Sequence, residues 1–276
     1  MTNRHLIALD LDGTLLTDNK VISSQTKQTV LTAMDEGHIV VIATGRPHRS
    51  SINYYHELGL KTPMVNFNGA LLHHPTNRNW DALHNPMPIR TAHAIIDACF
   101  DLNVNNILAE VMDDVYLAQY DEKLIEIYQE SPDDPPFKIG NIKQTLTEDP
   151  TSILVLPKQD QIETLRNHLD DYHAEFIEHR NWGAPWNIVE IIKKGMNKAV
   201  GLQKIARYYD IPQDRIIAFG DEDNDLEMID YAGVGVAMGN AIPGLKKLAK
   251  HITKTNEQDG IGIFLEEYLK LNVKTS

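Results

Sequence analysis

Short apolar runs without a polar interruption alternate with helical patterns at both ends of this chain, and the alternation stops in the middle. Near the amino terminus an apolar run, Leu6 to Leu11, precedes a helical pattern from Ser24 to Glu36 with Gly37 placed to cap it. A second run, Ile39 to Ala43, leads through a polar turn to a helical pattern from Pro47 to Leu58. A third, Pro63 to Phe67, is closed by Asn68-Gly69. The pattern resumes near the carboxyl end with "GMNKAVGLQKIARYYD" as a helix, "RIIAFGD" as a buried strand and "NDLEMIDYAG" as a short helix. "VGVAMGNA" follows as strand and turn, and "DGIGIFLEEYLKL" as a closing helix. Strands without a polar face need cover on both sides, and strands joined through helices lie parallel. The outer segments therefore predict one α/β fold, a doubly wound, mostly parallel, Rossmann-like sheet.

The middle reads differently. Two helical patterns, near Arg90 to Asp101 and Gln159 to Tyr172, are interspersed with strand candidates "NILAEV", "VYLAQY", "SILVLP" and "EFIEH". A proline-rich loop is predicted from Ser131 to Phe137. This predicts a smaller α+β domain at 84–187, inserted into a core formed by 1–83 and 188–276. A chain of 276 residues is long enough for two unequal domains.

Composition narrows the partners. The formal net charge is -13, and phosphate backbones and anionic membranes are bound mostly through an excess of lysine and arginine. Nucleic acid and membrane are therefore not expected as partners, while a small anionic ligand is allowed where positive charge is concentrated. Cys99 is the only cysteine, so no intramolecular disulfide forms. No leader pattern opens the chain and no apolar run reaches bilayer length, which predicts a cytoplasmic protein.

The first apolar run ends in two carboxylates, Asp10 and Asp12, one residue apart. In an extended strand positions i and i+2 share a face, and neighbouring like charges raise each other's pKa unless a cation lies between them. In an open parallel sheet ligands bind beyond the carboxyl ends of the strands. One rim should therefore collect Asp10, Asp12 and Thr14, then Thr44, Gly45 and Arg46, then Asp221 to Asp225. Oxygen ligands suit a hard cation such as Mg2+, and the absence of clustered cysteine and histidine argues against zinc. "DEDND" at Asp221 fails as a calcium loop because its sixth and twelfth positions are Leu226 and Ala232. "GVGVAMG" is one residue too long for a dinucleotide fingerprint and reads as a strand entering a turn, and no GxxxxGK[ST] loop is present. Lys193 and Lys194 read as solvated charges. Lys198 either does the same or reaches inward to a phosphate or to the carboxylate pair.

Taken in order, "DLDGT" at Asp10, "ATGR" at Ala43, "KGMNK" at Lys194 and "GDEDND" at Gly220 resemble the four motifs of the haloacid dehalogenase superfamily. "NGA" at Asn68, "GVAMGNA" at Gly235 and "TNEQDGIG" at Thr255 make the chain look like its Cof-type phosphatases, which carry a C2-type cap between the second and third motifs. Two positions depart from the usual subgroup pattern, "GDEDND" for "GDNEND" and Lys193 for a proline, and neither removes a catalytic group. The resemblance implies Asp10 as the nucleophile that becomes an aspartyl-phosphate and Asp12 as general acid and base. It implies phosphate contacts from Thr44, Gly45, Lys198 and Asn224, and gives Arg46 to the substrate-binding set. Mg2+ would be held by the carboxylates of Asp10 and Asp221 and the main-chain carbonyl of Asp12, with Asp225 orienting the site.

The expected activity is hydrolysis of phosphomonoesters of small metabolites such as sugar phosphates or phosphorylated cofactor precursors. The alternatives are a sugar phosphomutase, which returns the phosphoryl group to sugar, and a phosphometabolite-binding protein without turnover. An ion-pumping ATPase is excluded because no membrane spans are present. In the cap, Arg180, Asn181 and Trp182 are candidates for touching the organic part of a substrate, against the plainer reading that Trp182 and Trp186 pack the domain. No sequence feature marks an interface between copies of the chain.

Overall fold

The computed structural model describes residues 4–128, 135–182 and 187–273. Trp186 and most of the predicted proline-rich loop lie outside them. The chain divides into two compact units: 1–46, 51–82 and 197–276 form the first, and 47–50 with 83–196 form the second.

The first unit is built on a five-stranded, wholly parallel sheet. Its order is His251–Ile252, Val234–Ala237, Ile216–Gly220, Leu6–Leu9 and Ile39–Ile42. All four residues of Leu6–Leu9 are fully buried, as are those of Ile216–Gly220, which explains the unbroken apolar runs that encode them. Helices Ser24–Asp35, Lys198–Tyr208, Leu226–Tyr231 and Gly260–Leu269 supply the cover. Ser23 caps the first by accepting from the Thr26 N–H, and Asn197 caps the second by accepting from the Val200 N–H. Ala43 bridges in parallel to Val65, which brings in the antiparallel pair Met64–Asn66 and Leu71–His73. Helix Lys198–Tyr208 packs unusually close to this pair: a Cβ at Gly201 would stand 2.6 Å from Val65 Cγ2.

One predicted helix is shorter than its pattern. The segment expected from Pro47 to Leu58 is helical only at Ile52–Glu57. The preceding turn is drawn away by Asp113, whose carboxylate accepts from the Arg49 N–H at 2.9 Å and pairs with His48 Nδ1 at 3.0 Å.

The second unit has a six-stranded sheet ordered Ile177–Asn181, Val189–Lys193, Ser152–Leu156, Asn106–Val111, Asp114–Leu117 and Lys138–Ile139, antiparallel except at the last pairing. The strand Val189–Lys193 was not among the sequence-derived candidates, which placed the return to the core at 188. It pairs on both sides within this sheet, so the chain re-enters the first unit only at Asn197. One sheet face carries Ile107, Ala109, Ile153, Val155, Val189 and Ile191, packed in one core with Ile95, Ile96 and Cys99 of helix Ile89–Asp101 and Leu165 and Leu169 of helix Ile162–His173. The other carries a smaller apolar cluster that includes Leu108, Leu154 and Leu124. Among the described residues no helix is long and apolar enough to cross a membrane.

Candidate active site

The carboxyl ends of three parallel strands and the start of one helix converge in the first unit. Asp10 follows Leu6–Leu9 directly, Thr44 follows Ile39–Ile42 by two residues, and Asp221 follows Ile216–Gly220 directly. Lys198 is the first residue of its helix, and Asn224 and Asp225 lie in the 3-10 turn Asp223–Asp225.

At the centre is a fully buried ammonium. Lys198 Nζ donates to Asp10 Oδ1 at 2.6 Å and to Asp225 Oδ1 at 2.7 Å. The other Asp225 oxygen accepts from the backbone N–H groups of Asp221 and Glu222 at 2.9 and 3.2 Å. Thr14 donates its hydroxyl to Asp221 Oδ1 at 2.8 Å. Burial disfavours the charged form of Asp10 and pushes its pKa well up, with Asp225 and Asp221 adding to the rise against the pull of Lys198. Asp221 is pushed up to about 7, first by burial and then by Asp225. For Lys198 burial acts downward, but Asp10 and Asp225 outweigh it and hold the ammonium charged.

Asp10, Asp221 and Asp225 each offer a carboxylate oxygen within 4.8 Å of the others. When all three are ionised they exceed the one buried ammonium by two negative charges, and the ligand atoms are all hard oxygens. That donor set fits a divalent hard cation. Asp225, expected only to orient the site, belongs to this acidic triad. The Asp12 carboxylate does not. It turns to Arg46, taking Nε at 2.6 Å and Nη2 at 2.8 Å in a forked pair, and to Lys20 Nζ at 2.6 Å. Burial acts to raise its pKa, but the hydrogen bonds and charge of Arg46 and Lys20 win and hold it at about 2.

The remaining expected residues surround this centre. Thr44 is buried, and its hydroxyl oxygen accepts from the Arg46 N–H at 3.1 Å, leaving the hydroxyl proton to be donated elsewhere. Asn224 Nδ2 donates to Asn68 Oδ1 at 3.0 Å, and a Cβ at Gly45 would stand 3.1 Å from that same oxygen. Gly13 has φ +71, and a Cβ there would fall 2.2 Å from Asp221 Oδ2, so only glycine lets this loop pass the carboxylate. Lys20 and Asn240 also reach this region, and no local sequence pattern marks either. Asn240 donates to the Gly13 carbonyl at 2.8 Å. Both belong to segments whose approach depends on the folded chain rather than on a local pattern.

The family model described as haloacid dehalogenase-like hydrolase matches residues 7–265. The chain is 51% identical over 270 residues to the 5-amino-6-(5-phospho-D-ribitylamino)uracil phosphatase YitU of Bacillus subtilis, covering 98% of this chain and 99% of the relative. It is 29% identical to the pyridoxal phosphate phosphatase YbhA of Escherichia coli, with 98% of this chain and 100% of that one covered. A crystal structure from Thermotoga maritima superposes with a TM-score of 0.82 at 26% identity, over 99% of this chain and 98% of that one. The chain belongs to the haloacid dehalogenase-like hydrolases and is a phosphomonoesterase of that family.

Proposed function

We propose that this phosphomonoesterase is Mg2+-dependent, acts through an aspartyl-phosphate on Asp10, and takes 5-amino-6-(5-phospho-D-ribitylamino)uracil as its substrate. The buried contact of Lys198 with Asp10 and Asp225, beside Asp221, carries the chemical part of the reading. Near-full-length similarity to a phosphatase named for that substrate carries the rest.

In this reading Asp10 attacks phosphorus through a carboxylate oxygen while the ester P–O bond breaks. Lys198 stays charged throughout and limits the repulsion between Asp10 and the incoming phosphate. Thr44, through its hydroxyl, and Asn224, through its amide, donate to equatorial phosphoryl oxygens. Asp12 delivers a proton to the leaving alkoxide. In the second half it removes one from the attacking water as the aspartyl P–O bond breaks, returning Asp10 and releasing inorganic phosphate. Its forked pairing with Arg46 favours the carboxylate, the form needed for that second half. Asp12 must therefore loosen from Arg46 and Lys20 to carry a proton in the first. Asp10, Asp221 and Asp225 would hold Mg2+, which would supply charge to keep the carboxylates ionised and to stabilise the phosphoryl oxygens.

The test is phosphate release from that ester, pyridoxal phosphate and a series of sugar phosphates, by wild type and Asp10→Asn, with Mg2+ and after chelation. The ribitylaminouracil ester should show the highest kcat/KM, and the variant should lose at least about 10³-fold. Equal rates in Asp10→Asn would remove it as the nucleophile. A different ester at the top of the ranking would replace the substrate, and sugar-phosphate isomerisation outpacing release would favour the mutase.

A further inference from the structure

Two turns of the first unit that the phosphoryl chemistry leaves unused close on the loop that follows Asp10. One holds Gly239 and Asn240, just after strand Val234–Ala237, and the other is the 3-10 turn Asn256–Gln258 that leads to helix Gly260–Leu269. Asn240 is exposed and Asn256 is buried. Asn240 Nδ2 donates to the Gly13 carbonyl at 2.8 Å and faces Asp221 Oδ2 at 3.5 Å, while its Oδ1 accepts from the Asn256 N–H at 3.1 Å. A backbone N–H can only donate and a backbone carbonyl can only accept, so the Asn240 amide has a single orientation.

The Asn256 turn is itself tied to the same stretch of chain. Asn256 Nδ2 donates to the Leu16 carbonyl at 3.0 Å and to Asp18 Oδ1 at 3.1 Å, and Glu257 Oε1 accepts from the Asp18 N–H at 2.6 Å. Asp259 accepts from the hydroxyls of Ser23 and Thr26. The residue most in need of such support is Gly13, since a glycine has more conformational freedom to lose than any other residue and this one stands at φ +71 between Asp12 and Thr14. A bond to its carbonyl restrains the peptide that joins it to Thr14. Thr14 in turn donates to Asp221 Oδ1, so the two oxygens of Asp221 face donors from Thr14 and from Asn240.

We propose that Asn240, held in one orientation by the Asn256 N–H, is a positioning residue that fixes Asp221 and the Gly13 turn for phosphoryl transfer. Its effect on metal and rate rests on the Mg2+-dependent phosphatase reading, and its effect on the turn does not.

The experiment compares wild type, Asn240→Ala and Asn240→Asp as full chains in three measurements. These are hydrogen exchange of the Leu15 and Leu16 amides in metal-free protein, calorimetric binding of Mg2+ alone, and the kinetics of phosphate release from the ribitylaminouracil ester. The two amides donate to the carbonyls of Asp10 and Leu11 and come free when the turn opens. Asn240→Ala should speed their exchange at least about 10-fold, weaken Mg2+ binding and lower kcat each about 10- to 100-fold, and move KM for the ester by less than about 3-fold. The melting temperature of the metal-free protein should hardly change, because the side chain is exposed. Asn240→Asp keeps an oxygen for the Asn256 N–H and loses both N–H donors, so its exchange should be as fast as that of Asn240→Ala. Wild-type exchange in Asn240→Asp would overturn the proposal. So would a folded Asn240→Ala with the Mg2+ affinity and kcat of wild type, or one whose losses only follow a fall in melting temperature. If wild type binds Mg2+ but releases no phosphate, the phosphatase reading falls, while faster exchange and weaker Mg2+ binding in Asn240→Ala would leave the positioning role standing. If wild type releases phosphate without binding Mg2+, the metal reading falls alone, and exchange together with kcat decides the role of Asn240.

Discussion

Each unit buries a basic side chain among carboxylates, and the two arrangements are unlike. In the first unit Lys198 contacts Asp10 and Asp225, and the surplus is negative charge gathered within 4.8 Å. In the second, Arg49 meets one carboxylate, that of Glu110, and the surplus is donor capacity spread over two nitrogens and a tyrosine hydroxyl. The first imbalance calls for a cation, and the second leaves hydrogen-bond donors rather than acceptors in surplus. Buried ion pairs are often weak contributors to stability, since desolvation offsets much of the attraction. What these two teach is that a buried ion pair is characterised by what it leaves unpaired rather than by the pair itself.

The sharpest way to break the comparison is to remove each cation. Lys198→Met should destabilise the metal-free protein by about 3–5 kcal/mol, because Asp10 and Asp225 are left buried without their counter-charge, and phosphate release should stop. Urea unfolding and a phosphate assay check both. Asp221, pushed up to about 7, gives the next effect. The folded state takes up its proton more readily than the unfolded chain does, so the stabilisation is full below about pH 4 and lost as pH rises through about 7. Melting curves of metal-free protein should show that decline, worth on the order of a few kcal/mol. Asp221→Asn should flatten it, and Mg2+ should restore stability at the alkaline end.

Arg49→Met should cost less than Lys198→Met, roughly 1–3 kcal/mol in the same urea experiment. Glu110 keeps its bond from Ser152, and two unsatisfied nitrogens leave with the guanidinium. An equal cost would erase the distinction drawn between the units. The smallest effect belongs to Lys20, whose pairing with Asp12 is half exposed. Lys20→Met should change stability by less than about 1 kcal/mol. It should also raise the Asp12 pKa and move the acid limb of the pH–rate profile upward, since one of the groups holding that carboxylate low is gone.

The first unit was the more legible one. Its strands are buried on both faces, so they stand out as unbroken apolar runs, and parallel connectivity sends their last residues to one rim. Asp10, Thr44 and Asp221 follow from that logic. Lys198 was ambiguous because a lysine at a helix start is ordinarily solvated, and only the folded helix shows its depth. The triad membership of Asp225 was missed because a 3-10 turn, rather than strand alternation, points it inward. In the second unit Val189–Lys193 escaped notice, as a short strand merging into a lysine-rich turn carries little periodic signal. Arg49, Glu110 and Glu190 come from three distant stretches: strand register sets the two glutamates on one face, and Arg49 reaches Glu110 from a turn outside the sheet. The helix expected from Pro47 began late for a related reason: Asp113, far along the chain, claims the turn before it.

Gly201 has a consequence for how such a chain can change over generations. Its helix lies so near Val65 that a single added methyl group would collide, and the same helix carries Lys198 at its first residue. The seat of the ammonium is thus calibrated by a hydrogen atom one turn away. A saturation library at position 201 should be depleted of active clones almost as thoroughly as one at position 198. The permissible drift of this enzyme is limited by a residue that has no functional group at all.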